Sequence, residues 1–226
     1  PEPDMNLGVG SGSHATQTSA LLVALEETFL AEEAPELDVA VVSNIHRVHG
    51  RRRTWADRNN ILFVGGFQHP PNVDAALWFV KEVWPLVSAQ LPDVRFHLIG
   101  NDAPDEVRNL HGNGVVFHGY VESLQPFLDG CRLAVAPLRY GAGVKGKVNM
   151  SMAHGQPVVA TPVAAEGLFV GHEKECLLAD DAESFAHEVI RLYQDEDLWQ
   201  KLSDASTSSV EAHFSMSAAR NRLTAL

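Results

Sequence analysis

The sequence predicts an α/β fold in which a doubly wound parallel sheet carries helices on both faces. From Asn60 onward, short apolar runs alternate with segments of helical periodicity, which is typical of about six strands joined by helical crossovers. Three of the predicted strands end in glycine, at positions 65–66, 100 and 119. The carboxyl ends of parallel strands share one edge of the sheet, so this pattern predicts a ligand site at that edge.

Apolar runs without a helical period predict the strands, and 3.6-residue periodicity predicts the helices. The strands are predicted at residues 61–66, 94–100, 114–119, 132–137, 157–161 and 176–180. The helices are predicted at residues 72–90, 104–110, 122–130, 144–155, 181–193, 196–213 and 216–226. Pro85 is expected to kink or break the first of these helices, and Ser215 is expected to cap the last.

The residues before the first of these strands are expected to hold less structure. Residues 1–17 are polar and rich in glycine and serine, so we expect them to be disordered or to derive from an expression vector. A helix at 19–33 and a strand at 37–44 are predicted next. A polar connector with Arg47, Arg51, Arg52 and Arg53 follows. It is interpreted as a solvated linker, with peripheral contact to anionic lipid at the inner face of a membrane as the alternative.

Charge and composition argue against several functional classes. The 226-residue chain has a net charge of −12, which argues against nucleic-acid binding because phosphate contacts need basic surface. No apolar run approaches the ~18 residues of a membrane span, and the N-terminus lacks the basic and apolar regions of a secretory signal. Cys131 and Cys176 both adjoin predicted strands. We therefore expect reduced core thiols in a cytoplasmic protein.

Residues 131–167 have the pattern of an anion site. None of the 29 acids lies between positions 130 and 165, whereas Arg139, Lys145 and Lys147 lie there, at a glycine-rich loop and the first turn of a helix. Cations are not favoured at a helix N-terminus, whose dipole is already positive, so their presence indicates that an anion binds. The loop glycines would allow that anion to approach the backbone. The alternative is a solvated loop whose lysines point away.

Other motifs in the chain are weaker. Gly65, Gly66 and Phe67 follow the first strand but do not form the G-x-G-x-x-G dinucleotide motif. His69 is expected either to line the same cleft or only to cap its loop, and His118 is expected to be a core histidine. No histidine pair has metal-ligand spacing with acids in support, so no metal is predicted. No nucleophile–base pair or paired carboxylates stand out, so the catalytic residues stay unassigned.

Two stretches of the chain resemble a known family. The runs FVGGFQHPPNVDAALWFVKEVWP at 63–85 and PLRYGAGVKGKVNMSMAHGQPVVATPVAAEGL at 137–168 are similar to group 1 (family 4) glycosyltransferases. That family has the GT-B architecture of two Rossmann-like domains. The resemblance covers residues 60–214 and implies the C-terminal domain, which binds a nucleoside diphosphate sugar. Residues 18–59 would then be a remnant of the N-terminal domain with its connector, and residues 215–226 a C-terminal helix.

The resemblance also implies a substrate class and a set of binding residues. The donor would carry UDP or GDP, no further cofactor would be needed, and the acceptor would be a glycan, a lipid-linked molecule or a small molecule held by the missing N-terminal domain. Polysaccharide biosynthesis is the expected setting. The donor-binding residues that it implies are Gly65, Gly66, Phe67, Gly100, Tyr120, Val121, Arg139, Gly141, Gly143, Val144, Lys145, Lys147 and Glu166.

The chain departs from the family at its paired glutamates. These fall on Ala142 and Met150 here, so both carboxylates are absent. Glu166 is the one acid near this region in the sequence and is a candidate to substitute. Two alternatives stay open. One is a non-catalytic nucleotide-sugar or glycan-binding module, and the other is a different GT-B enzyme, such as a nucleotide-sugar epimerase.

Overall fold

The computed structural model of the protein describes residues 43–224. The predictions for residues 1–17 and 19–33 lie outside this range, and so does the strand at 37–44 apart from Ser43 and Asn44, which belong to no strand. The last two residues of the predicted C-terminal helix also lie outside it. The described range therefore holds the connector and the whole of the predicted α/β domain.

All six predicted strands form, and they make one parallel sheet. They are β1 (Asn59–Val64), β2 (Phe96–Ile99), β3 (Val115–Gly119), β4 (Cys131–Ala136), β5 (Val158–Ala160) and β6 (Leu177–Leu178). Their order in the sheet is β3-β2-β1-β4-β5-β6. The register pairs Ile61 with Phe96 and Ala134 with Val158. The predicted doubly wound parallel sheet is confirmed.

Helices connect the strands close to the expected bounds. Their ends follow from local capping: the Ser215 hydroxyl accepts the N–H of Ala218 at 3.1 Å, as predicted, and Asp181 accepts the N–H of Ser184 at 2.9 Å. The helices are α1 (Pro70–Trp78), α2 (Trp84–Gln90), α3 (Asp105–Arg108), α4 (Gln125–Gly130), α5 (Gly146–Ala153), α6 (Pro162–Ala165), α7 (Ala182–Gln194), α8 (Glu196–Phe214) and α9 (Met216–Thr224).

Pro85 interrupts the first predicted helix. A π-helical segment, Phe79–Val83, separates α1 from α2, and the N–H of Trp84 donates to the carbonyl of Phe79, five residues back. Proline has no N–H to donate and clashes with the carbonyl four residues before it, so a wider turn is favoured just ahead of it. The regular α-helix is thus broken where the sequence predicted.

β4 lies at the centre of the hydrophobic core. All six of its residues are buried, because β1 and β5 flank it and helices pack against the sheet. Trp199 of α8 is fully buried, and its indole N–H donates to the carbonyl of Arg132 at 2.6 Å. The strand is therefore held firmly, and the loop that follows it starts from a fixed point.

The connector before β1 is docked on the domain. The N–H groups of His49 and Gly50 donate to the carbonyl of Ala153, at 2.8 and 3.0 Å. Arg51 forms an ion pair with Asp204 at 2.8 Å, and Arg52 lies 3.6 Å from a carboxylate oxygen of Asp129. Both arginines are solvent-exposed, as the interpretation of a solvated linker expects, but each also lies against a carboxylate of the domain.

Candidate functional site

The loops that follow β1 and β4 form a crevice at the carboxyl edge of the sheet. The chain leaves these neighbouring strands toward opposite sides, since β2 lies beyond β1 and β5 lies beyond β4. Such a switch point is where parallel α/β sheets place their ligands. We define the switch-point crevice as residues 65–74 and 137–147. The glycine-rich loop identified in the sequence forms one of its walls.

Glycines allow the carboxyl ends of β1 and β2 to approach closely beside the crevice. A Cβ at Gly100 would lie 1.7 Å from the carbonyl oxygen of Gly65, so no side chain fits there. The N–H of Gly65 donates to Ile99 at 2.9 Å, and that of Gly100 donates to Gly119 at 3.0 Å. Phe67 is 4% exposed, so its ring packs in the core and does not line the crevice.

The ammonium of Lys147, in the first turn of α5, crosses the crevice to α1. It donates to Oδ1 of Asn72, whose Nδ2 donates to the carbonyl of Gly66 at 2.7 Å. The same ammonium lies 4.8 Å from the ring centroid of Phe63 on β1. Burial, and to a smaller extent the charge of Lys145, lowers the pKa of Lys147 to about 7. An amine whose pKa burial lowers toward neutrality thus lies between the two loops of the crevice.

Lys145 holds the glycine-rich loop together from within. It is 9% exposed, and its ammonium donates to the carbonyl of Gly141 at 3.1 Å and to that of Gly143. Both glycines have positive φ angles, 119° and 91°, which other residues rarely adopt. Burial lowers the pKa of Lys145, while the charge of Glu166 raises it. The alternative of a solvated loop whose lysines point away is therefore wrong.

Arg139 is tied to the opposite wall by an ion pair. Its Nε donates to Oδ2 of Asp74 at 2.9 Å, and its Nη2 donates to Oδ1 of the same carboxylate. This hydrogen bonding is the main cause of the raised pKa of Arg139. The guanidinium lies 5.9 Å from the ring of Trp78, with about half of its side chain exposed. Its charge is thus already compensated.

The remaining candidates are spread along the same edge. Tyr120, 76% exposed, and Val121 follow the edge strand β3, two strands away from β1. Val144 packs against the core, and Glu166 reaches the field of Lys145. His69 lies at the N-cap position of α1 without a side-chain capping bond. The structure therefore gathers the loop lysines with Gly65 and Gly66, and leaves the β3 residues apart.

Several partners were missed in the sequence. Asn72 accepts a hydrogen bond from Lys147, and Asp74 pairs with Arg139. Both lie in the first turns of α1, and the sequence indicated them only as polar residues just after a strand that ends in glycine. His118 is half-buried and shares a 2.8 Å hydrogen bond with His97. Burial, then the charge of His118, lowers the pKa of His97 to about 4, so this pair is neutral at pH 7. His118 is thus a structural histidine.

Three polar atoms beside the crevice lack partners within residues 43–224. Asn149 of α5 is fully buried, and neither of its amide atoms is hydrogen-bonded; the same holds for Nε2 of His46. The His46 ring lies beside the start of α5, because a Cβ at Gly146 would be 3.8 Å from it. Met150, at the position of the family's second glutamate, packs against the core.

Within residues 43–224 the protein holds neither a metal-binding cluster nor a membrane-spanning helix, and its two cysteines are free. No group of three or more His, Cys, Asp or Glu side chains could hold a metal ion. No helix in this range is long and apolar enough to cross a membrane. Cys131 and Cys176 are buried free thiols, and burial raises both pKa values to about 12. The cysteines therefore lie in the core as unreactive thiols.

A six-stranded Rossmann-like sheet with a cationic crevice at its switch point defines a doubly wound α/β ligand-binding domain. The chain belongs to the family described as Glycosyl transferases group 1, which it matches over residues 58–195, more than half of its length. The resemblance seen in the sequence is thereby confirmed.

Relatives extend this result to the fold. An uncharacterized 44.6 kDa protein in the cps region of Klebsiella pneumoniae is 29% identical over 140 residues, which is 58% of this chain and 36% of that protein. TarM of S. aureus, crystallised with Fondaparinux, alpha-GlcNAc-glycerol and UDP, superposes with a TM-score of 0.70 at 17% identity, over 88% of this chain and 42% of TarM.

Two further structures cover different shares of their own chains. Anabaena HepE in complex with UDP and glucose has a TM-score of 0.65 at 16% identity, over 82% of this chain and 55% of HepE. The C-terminal domain of LpcC from Francisella tularensis has a TM-score of 0.59 at 14% identity, over 76% of this chain and 96% of that domain. The chain thus spans about half or less of its longer relatives, and nearly all of an isolated C-terminal domain.

Proposed function

We propose that this domain binds the diphosphate of a nucleotide sugar in the switch-point crevice. Lys145 and Lys147 carry the proposal, because they are cations at the crevice that no carboxylate neutralises. Within residues 43–224 neither lysine takes part in an ion pair. Burying a charge without a counter-charge is costly, so an anionic ligand explains their retention.

The backbone of α5 supports the same proposal. Its N-cap residue, Lys145, makes no side-chain capping bond. In the first turn, the N–H groups of Gly146 and Val148 donate to the carbonyls of Val144 and Lys145 at 3.1 and 2.8 Å, which leaves the N–H of Lys147 for another acceptor. A helix start with free N–H groups favours phosphate oxygens. The positive φ angles of Gly141 and Gly143 shape the loop in front of these groups. A diphosphate would thus meet the backbone N–H and the ammonium of Lys147 together.

The same groups have a role in sugar transfer by the longer protein. As the bond between the anomeric carbon and the diphosphate oxygen breaks, its electron pair stays on that oxygen, and the leaving group gains negative charge. The protonated side chain and the backbone N–H of Lys147 would stabilise that charge. The acceptor, a glycan, a lipid-linked molecule or a small molecule, would be held by chain outside the described residues.

UDP is the first donor to test, since TarM and HepE were both crystallised with it. GDP is the second. The relative from a cps region supports polysaccharide biosynthesis as the setting. The two free cysteines support a cytoplasmic location. Peripheral membrane contact would fall to Arg47 and Arg53, because Arg51 and Arg52 already face carboxylates.

A second candidate function rests on Met150. Its side chain packs against the core at the position of the family's second glutamate, and Ala142 replaces the first. Glu166 is the acid whose charge raises the pKa of Lys145. A module that binds nucleotide sugar without transferring it would keep the crevice and lose these carboxylates. Donor binding without donor hydrolysis or transfer in the full-length protein would favour this module.

Calorimetric titration of UDP and GDP tests the crevice. Lys147→Met and Lys145→Met keep most of the side-chain volume and remove the charge, and Lys201→Met on α8 is the matched control. Losing one charged hydrogen bond of about 1.5–3 kcal/mol should weaken binding about 10-fold to 150-fold. The control should bind like wild type. Equal binding by all four proteins would place the nucleotide elsewhere, and no binding to wild type would reject the proposal for this chain.

A further inference from the structure

The amino edge of the sheet, opposite the switch-point crevice, carries an open cavity of about 700 Å³. It lies between the start of β1, the turn before β2 and the end of α7. Arg132, the second residue of β4, and Tyr193 of α7 line it together with Asn60, Asp93 and Arg95. β4 runs from this cavity to the crevice, so the two sites lie at opposite ends of one buried strand.

Arg132 is a buried cation that forms no ion pair within residues 43–224. It is 9% exposed, and its guanidinium carbon lies 4.0 Å from the ring centroid of Trp55 and 4.3 Å from that of Tyr193. Nε donates to the carbonyl of Arg58 at 3.0 Å, and Nη1 donates to that of Tyr193 at 3.1 Å. Within residues 43–224, Arg132 forms no ion pair, and its Nη2 has no acceptor.

Further unused donors surround this guanidinium. The indole N–H of Trp55, stacked on Arg132, is buried without an acceptor. Asn60 has a left-handed φ of 66°, fixed because its Oδ1 accepts the N–H of Arg95 at 2.9 Å while its own N–H donates to the Tyr193 hydroxyl at 3.2 Å. Its Nδ2 is left over. Two arginines, Arg95 and Arg132, and one acid, Asp93, line the cavity, so its lining carries net positive charge and favours an anionic ligand.

Two acids near this cavity, Asp93 and Glu196, would repel an anion and weaken its binding. Asp93 is exposed on the cavity lining, and Glu196 lies close enough to raise the pKa of Arg132, which burial lowers. Both acids are exposed, so solvent and salt screen them. The buried guanidinium is screened less, and its planar fork matches the oxygens of a carboxylate or phosphate.

We propose that this cavity is a second binding site, for the oxyanion group of a small metabolite, either a phosphate monoester or a carboxylate. Nη2 of Arg132 donates to the oxyanion, and Arg95 and the Asn60 amide flank it. The volume exceeds what a bare ion fills, so the rest of the metabolite lies along the turn before β2. The site is separate from the proposed donor site and does not depend on it.

Thermal shift and calorimetry with inorganic phosphate, and with acetate as the carboxylate arm, test this site on the chain as it stands. Arg95→Gln and Asn60→Gly remove flanking donors without touching the core, and glycine keeps the left-handed backbone. Arg132→Lys keeps the charge and removes the fork. Arg108→Gln is the matched control, because this arginine is exposed and pairs only with Asp105 at 3.6 Å. Lys147→Met reports on the crevice.

The expected result is binding of one probe by wild type and Arg108→Gln alike. Binding should be about 10-fold weaker in Arg132→Lys and about 3-fold to 10-fold weaker in Arg95→Gln or Asn60→Gly. If Arg132→Lys does not fold, the other two variants decide. Undiminished binding in both Arg95→Gln and Asn60→Gly would overturn the proposal. So would loss of binding only in Lys147→Met, which places the ion in the crevice, and so would no binding of either probe to wild type.

Discussion

Two buried cations at opposite edges of the sheet, Arg58 and Lys147, differ in how fully their donors are used. Burial lowers the pKa of Arg58 to about 10 and that of Lys147 to about 7. Lys147 has one amide oxygen and the face of one ring as partners. Arg58 is fully buried and donates to four backbone carbonyls, those of Arg53, Leu128, Cys131 and His154. A cation that uses four of its five N–H donors on the backbone stabilises the fold, whereas one with more spare donors can serve a ligand.

The largest expected effect comes from Arg58→Met. The substitution leaves several buried carbonyls around the start of β4 without a donor, and the free energy of unfolding should fall by about 3–5 kcal/mol. For a domain of this size the melting temperature should drop by roughly 2–4 °C for each kcal/mol. Chemical and thermal unfolding measure both quantities.

Arg108→Met is the comparison for that measurement, since Arg108 is exposed and forms only an i,i+3 pair with Asp105. Its removal should change the free energy of unfolding by less than about 0.5 kcal/mol. If the Arg58→Met protein is as stable as the Arg108→Met protein, the four hydrogen bonds from Arg58 to backbone carbonyls do not stabilise the fold.

The sheet could be predicted from the sequence because each strand has a pattern that is visible within a few consecutive residues. Apolar runs such as 132–137, bounded by glycine or proline, need no knowledge of their neighbours. The glycine-rich loop and its lysines were also visible, since an acid-free window is a local property. What stayed hidden was pairing between distant residues. Asn72 meets Lys147 across 75 positions, and Arg58 meets His154 across 96.

The connector shows the same limit more clearly. Its arginines were predicted to be solvated, and both are exposed, but their carboxylate partners were not predicted because neither is near in sequence: Arg51 pairs with Asp204 and Arg52 with Asp129. Gly155 allows this docking, because a Cβ there would lie 2.8 Å from the Cβ of Arg51. A single sequence has no periodic signal for such a contact, so the helix end was predicted correctly and its neighbour was not.

The second prediction concerns Lys147→Met in the absence of ligand. The folded-state pKa of about 7 lies below the ordinary value of 10.5, so protonation is less favourable in the folded protein. The contribution of this group to stability is therefore complete above pH 10.5 and is lost as the pH falls from there toward 7. Methionine removes that loss and should raise the free energy of unfolding at pH 7 by about 1–3 kcal/mol.

Arg58→Met and Lys147→Met should thus shift the melting temperature in opposite directions, although both remove a buried cation. Lys147→Met should gain stability and lose nucleotide binding in the same protein. A Lys147→Met protein that is less stable than wild type at pH 7 would show that the bond to Asn72 matters more to the fold than the desolvated charge does.

The third prediction is that nucleotide binding takes up protons. A diphosphate beside Lys147 should raise its pKa above about 7, so at pH 7.5–8 a proton enters the site on binding. Titrations in buffers of different ionisation enthalpy should show an uptake of about half a proton or more per nucleotide, and affinity should fall as the pH rises above 7. Lys147→Met should abolish the uptake, and Lys201→Met should retain it. Uptake that persists in Lys147→Met would assign the proton to another group.

The smallest effect is expected at Asn149. Unlike Arg58 and Lys147, it is a buried polar side chain with no hydrogen-bond partner within the described residues. Leucine has a similar shape and no unmet hydrogen-bonding groups, so Asn149→Leu should raise the free energy of unfolding by about 1 kcal/mol and leave UDP affinity unchanged. Ser151→Ala on the same helix is the control for substitution in a buried position. If Asn149→Leu instead destabilises the protein, the amide holds a buried water. If it weakens UDP binding and leaves the free energy of unfolding unchanged, the amide belongs to the nucleotide site. Asn149 would then be a further residue of α5, after Lys147, whose donor serves the ligand and not the fold.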